Sequence, residues 1–163
     1  MRQSFPNSLF LSMTSTNNRI FIDSSIFIEA LKGNKVTFYR SLISDIGNEN
    51  CINETVISEY LYFVLGFSGG VSPRTLKEKD QINQIVSSNL SIASILAEFS
   101  FLPGDSSLIH RAPRFMATYN LLPNDAIILA TCKIHNITKL ASHDADFILP
   151  CRAEGIELLR EEE

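Results

Sequence analysis

Short runs of β-branched and aromatic residues recur along the chain, each followed by a longer stretch whose apolar positions fall three or four apart. "RIFID" at 19–23 is apolar at successive positions, the pattern of a strand covered on both faces. "SSIFIEALKG" after it has helical spacing and a stop at Gly33, and "VTFYRSLISDIG" repeats that design with Gly47. "NCINE" predicts a second strand, and "ETVISEYLYFVLGF" a strongly apolar helix closed by "SGG". Residues 73–99 place Leu76, Ile82, Ile85, Val86, Leu90, Ile92, Ile95 and Leu96 at largely helical intervals broken near "SSNLS", which predicts a helical pair. "FSFLP" is a third strand, "DSSLIHRAPRFMATYN" a helix disturbed at Pro113, and "NDAIILATCKIHN" a helix with Asn124 as its N-cap. "TKLAS" and "IELL" complete the sheet.

Strands that alternate with helices, several of them apolar on both faces, predict an α/β fold: a three-layer α/β/α sandwich around a central, mostly parallel sheet. Sites in such sheets form beyond the C-terminal ends of the strands. Residues 1–18 are rich in Ser, Thr and Asn and show no period, so a disordered arm is expected before a single domain at 19–163.

Composition narrows the function. At 163 residues, 45% apolar and 20% charged, the chain suffices for one domain with a real core. A net charge of -4 argues against a broadly basic surface for coating nucleic acid. Cys51, Cys132 and Cys151 are odd in number and share no C-x-x-C spacing, so neither a disulfide framework nor a zinc ribbon is expected. No signal-peptide core or membrane-spanning run stands out, and the expectation is a soluble protein of the reducing cytoplasm.

Three carboxylates have no local reason for their places. Asp23 ends an apolar strand, Glu59 is the lone charge between Thr55 and Pro73, and Asp125 is the lone charge between Arg114 and Lys133. Taken singly each has an ordinary explanation: a turn residue, a helix-rim acid, and an acid favoured by a helix N-terminus. Taken together they converge, because Asp23 and Asp125 should face one sheet edge, where Asp144 also emerges after "KLAS". Carboxylates so crowded cannot all stay ionised without a counter-charge, and oxygen-only ligands suit Mg²⁺ or Mn²⁺ rather than zinc. The chain has no P-loop, no dinucleotide fingerprint opening a helix, and no G-x-S-x-G elbow.

In "IFIDSSIFIEAL", "INETVISEYLYFVL", "LLPNDAIILATCKIHNI" and "KLASHDADF", taken in this order, the chain resembles PIN-domain nucleases, especially the small VapC-type toxins. The resemblance covers about residues 19–159. It implies metal-binding, catalytic acids at Asp23, Glu59, Asp125 and Asp144, with Ser24, Asn124, Ser142 and Asp146 in support. It implies one or two Mg²⁺ or Mn²⁺ ions, hydrolysis of RNA to 5′-phosphate and 3′-hydroxyl ends, a possible antitoxin partner and a homodimer. Lys32, Lys35, Arg40, Arg111 and Arg114 are candidate phosphate contacts, each also readable as a solvated surface charge. Two alternatives remain open: a PIN-fold RNA-processing or ribosome-maturation binding module, and a structure-specific DNA nuclease. Crowding of like charge also leads to the expectation that Asp23→Asn slightly raises the stability of the metal-free protein.

Overall fold

The computed structural model describes residues 18–88 and 91–161. The expected arm therefore lies outside the described residues except for Asn18, which already belongs to the fold. The Asn18 carbonyl accepts from the Glu49 amide at 3.0 Å and its side chain donates to the Gly47 carbonyl at 3.0 Å.

Among the described residues, β1 (Arg19–Ile22), β2 (Glu49–Ile52), β3 (Ser100–Phe101), β4 (Lys139–Ala141) and β5 (Glu157–Leu159) form one sheet in the order β3-β2-β1-β4-β5. Every pairing is parallel, with Phe21 opposite Cys51 on one side and Leu140 on the other. Ile20, Phe21 and Ile22 are all buried, as a central strand covered by helices on both faces requires. The chain runs outward from β1 through β2 to β3, then returns to β4 on the opposite flank. The strand order thus reverses between β1 and β4, and a crevice opens at their C-terminal ends.

Among the described residues the helices are α1 (Ser24–Leu31), α2 (Val36–Ser44), α3 (Glu54–Gly69), α4 (Pro73–Glu78), α5 (Ile82–Ser88), α6 (Ser91–Leu96), α7 (Leu108–Tyr119), α8 (Pro123–Ile134) and α9 (Ile148–Glu154), with α4 and α5 packed on α3. Asn53 starts α3, its side chain accepting from the Val56 amide, and Gly70 ends it at φ 67°, a left-handed turn that a Cβ would strain. α8 is the innermost helix: Ala126, Ile128, Leu129, Ala130, Thr131 and Cys132 are all buried. Each large apolar side chain so covered contributes roughly 1.5–3 kcal/mol.

The structure departs from the sequence expectations in four places. Residues 73–99 form three short helices, α4, α5 and α6, not two; Leu90 and the side chain of Ile92 lie outside the described residues. α8 begins two residues earlier, with Leu122 as N-cap and Pro123 in the first turn, so Asn124 lies inside the helix and is not its cap. α7 continues through Pro113 at the loss of one backbone bond. A 3₁₀ turn (Ala145–Phe147) and α9 occupy a stretch for which the sequence suggested no element. Pro150 reads as a breaker there, yet it sits in the first turn of α9, where its missing N–H is of no consequence.

Candidate active site

β1 delivers Asp23 to the crevice. Its carboxylate caps α1, accepting from the Ser24 amide at 2.8 Å and the Ser25 amide at 3.4 Å. Two hydroxyls add to it, Ser25 at 2.5 Å and Ser142, beyond the end of β4, at 2.7 Å. The backbone continues the link across the sheet's reversal, with the Asp23 amide donating to the Ala141 carbonyl at 3.0 Å. Asp23 is 4% exposed, so its charge rests on these four donors.

Both hydroxyls bonded to Asp23 also reach the loop after β4. Ser142 Oγ accepts from the Asp144 amide at 3.0 Å, and Ser25 Oγ accepts from the His143 amide at 3.0 Å. Asp144 in turn caps the 3₁₀ turn, accepting from the Asp146 amide at 2.8 Å. This local turn brings Asp146 onto the same side as Asp144. Carboxylate oxygens of Asp125, Asp144 and Asp146 all lie within 4.8 Å of one another.

α3 supplies Glu59 and α8 supplies Asp125. Both carboxylate oxygens of Glu59 are held: Oε2 accepts from Ser24 Oγ and Oε1 from the Asn124 amide, each at 2.7 Å. The two helices are locked to each other below the site by Asn53, fully buried, whose amide donates to Thr131 Oγ1 at 3.0 Å while that hydroxyl donates to the Ile127 carbonyl at 2.8 Å. Glu59, Asn124, Asp125 and Asp144 line a cavity of about 500 Å³ whose rim includes the exposed Leu122.

The electrostatics of this cavity answer the question posed by a lone acid on an apolar helix. Burial, followed by the charges of Asp144, Asp23, Glu59 and Asp146, pushes the Asp125 carboxyl up from 3.8 to about 7. Without a cation the crowded site therefore holds a proton near neutral pH. The donor set is entirely oxygen, with three carboxylates inside one ion's reach, and this fits a hard divalent cation. Asp125, Asp144 and Asp146 lie within one ion's reach of each other and would hold it, with Asp23 and Glu59 beside them; the hydrogen bonds those two accept leave further carboxylate lone pairs for a cation.

The sequence reading placed Asp146 only as a companion acid and did not single out Ser25, Asn53 or Thr131. Asn53 carried a local signal, an N-capping residue before an apolar helix; its pairing with Thr131 spans 78 positions and carried none. Of the proposed phosphate contacts, Lys35, Arg40, Arg111 and Arg114 do not line the acidic cavity. Arg40 borders a separate hollow with Phe27 and Tyr39, and Arg111 and Arg114 are exposed on α7. Lys32 does not line it either; it is ion-paired with Glu29 at 2.7 Å and lies 5.4 Å from the Phe63 ring centre. Cys51, Cys132 and Cys151 are buried and unbridged, and burial raises the Cys132 and Cys151 thiols far above the range of reactive thiolates, Cys151 to about 12. Among the described residues no helix is long and apolar enough to cross a membrane.

Residues 20–152 match the PIN domain family. Ribonuclease VapC2 of Methanocaldococcus jannaschii is 35% identical over 133 residues, which span 80% of this chain and 87% of that protein. Ribonuclease VapC6 of the same organism is 29% identical over 155 residues, spanning 88% and 98%. Among solved structures, a chain of a toxin-antitoxin complex from Klebsiella pneumoniae shares the fold, with a TM-score of 0.54 at 18% identity over 86% of this chain and 95% of that one.

Proposed function

The chain belongs to the PIN domain family, and from that premise we propose that it is a metal-dependent endoribonuclease, the toxin of a toxin-antitoxin pair. Two relatives named as ribonucleases support the activity, and a structural neighbour named as a toxin-antitoxin complex supports the partner. The observation that carries the reading is the oxygen-only cluster of Asp125, Asp144 and Asp146 beside Asp23 and Glu59, at the point where the sheet order reverses.

When bound by these acids, Mg²⁺ or Mn²⁺ supplies positive charge against the scissile phosphate and acidifies coordinated water. The chain's own groups do the rest. Glu59, fixed at both oxygens, orients the attacking water and takes its proton. A bond forms from the water oxygen to phosphorus, the bond from phosphorus to the 3′-oxygen breaks, and that oxygen takes a proton from solvent. The products are a 5′-phosphate and a 3′-hydroxyl. Asp23 acts through the frame: with Ser25 and Ser142 it ties the loop bearing Asp144 and Asp146 to the start of α1. A cation held here would favour the ionised form of Asp125, so its binding should strengthen as pH rises.

The test is cleavage of a labelled single-stranded RNA and a DNA of matching sequence, with Mg²⁺, Mn²⁺ or EDTA. RNA-selective cleavage that EDTA stops and that Asp125→Asn and Asp144→Asn each abolish is the expected result. Binding without cleavage would favour an RNA-binding module, and preference for DNA would favour a DNA nuclease. A homodimer belongs to the same proposal: α5 has no fully buried residue, and Val86 is exposed beside the partly buried Ile82.

A further inference from the structure

α3 carries two apolar stripes where a helix packed on one side needs only one. Val56, Tyr60 and Val64 face the core and are buried. Glu59, Tyr62, Phe63, Gly66 and Phe67 follow the spacing of a second face. That face is not in the core: Tyr62 is 62% and Phe67 54% exposed. It forms one wall of a groove of about 620 Å³, closed opposite by Ile28 of α1 and Pro73 of α4. The Phe63 and Phe67 rings lie nearly parallel at 26°, with centres 5.6 Å apart, and the Lys32 ammonium stands over Phe63. Glu59 and Asn124 line both this groove and the acidic cavity, so the two are neighbouring parts of one depression.

We propose that this groove is a nucleobase subsite, taking an unstacked base of single-stranded RNA next to the phosphate being cleaved, a refinement that rests on the ribonuclease reading above. Because the groove meets the acidic cavity at Glu59 and Asn124, a nucleoside flanking a phosphodiester at Asp125 reaches it, its ribose next to the phosphate and its base extending towards the rings. Exposed aromatic rings match it, because every base offers a π-face to stack on and none must be read by its edge. Polar groups of Ser24, Ser58 and Asn124 lie where a base edge would otherwise lose its hydrogen bonds to water. Lys32, paired with Glu29, stands over the Phe63 ring at the side of the groove. Duplex RNA keeps its bases stacked and cannot use such a site, so the groove selects for single strands.

The experiment measures KM and kcat on an unstructured labelled oligoribonucleotide, and binding of the same strand to the Asp144→Asn protein by anisotropy, single-stranded and annealed to its complement. Losing a stacking ring is worth roughly tenfold in affinity per base. Tyr62→Leu combined with Phe67→Leu keeps the groove apolar and should raise KM roughly tenfold or more while kcat stays within about twofold, with binding weakened in parallel. Tyr62→Phe combined with Phe67→Tyr should restore KM, and the duplex should bind weakly to every form. Melting curves verify that the variants fold. If wild-type protein cleaves the RNA and the leucine variants match its KM, the subsite is refuted while the ribonuclease reading stands. If wild-type protein cleaves no RNA, both fall. Leucine variants that handle RNA normally but lose an antitoxin would likewise overturn the proposal and assign the groove to a polypeptide.

Discussion

Replacing Asp125 by Asn should stabilise the metal-free protein, and by an amount that depends on pH. The carboxyl titrates at about 7 in the folded chain against 3.8 for an ordinary aspartate. Between those values the folded state holds a proton that the unfolded state has released, so wild-type stability falls as pH rises and levels off above about pH 7. The shift is about three pH units, which sets a ceiling of about 4 kcal/mol. Solvent reaches part of this half-buried group, and screening reduces the expected cost to about 1–2 kcal/mol. Asparagine has nearly the same shape and no charge to desolvate. Its urea midpoint in EDTA should therefore exceed that of wild type at about pH 8, by a margin that shrinks steadily towards about pH 5. Saturating Mn²⁺ should reverse the order, since wild type gains a bound ion and the variant loses a ligand. An offset that stays constant across this range, or an Asn variant less stable than wild type at the alkaline end, would refute the desolvated, charge-crowded environment assigned to Asp125.

Asn53→Ala should cost about 2 kcal/mol, because it removes the cap of α3 and the buried bond to Thr131, whose hydroxyl keeps only its bond to the Ile127 carbonyl; urea denaturation reads the loss. Asp23→Asn should lower metal-free stability by about 1 kcal/mol, opposite in sign to the expectation from charge crowding alone, since the carboxylate caps α1 and receives two serine hydroxyls; melting in EDTA decides the sign. Light scattering should show a dimer of the 18.2 kDa chain, and Val86→Asp should shift it towards monomer; a dimer indifferent to that change moves the interface away from α5. Mg²⁺ and Mn²⁺ should each raise the melting temperature relative to EDTA, and a flat response at millimolar metal would count against a preformed acidic site.

The sequence by itself determined the elements whose patterns are local. β1, β2, α3 and α8 were legible because an apolar run or a helical period depends only on near neighbours, and such runs must be buried wherever the chain goes. Alternation of strands with helices then implied a parallel sheet, which sends Asp23 and Asp144 to one edge by the geometry of parallel strands alone. Four motif blocks in order carried the family resemblance. What remained hidden depends on groups far apart in the chain. Asn124 looked like a helix cap because the sequence shows the residues beside it and not Glu59, 65 positions away, to which its amide donates. Asp146 joins Asp125 through a 3₁₀ turn set up by the Asp144 side chain, and the hydroxyls of Ser25 and Ser142 reach Asp23 from opposite sides of the sheet's reversal. The proton on Asp125 is the plainest case. No residue near it in sequence raises its pKa; burial and four acids delivered by β1, α3 and the loop after β4 do so together, and only the folded chain brings those fields to one point.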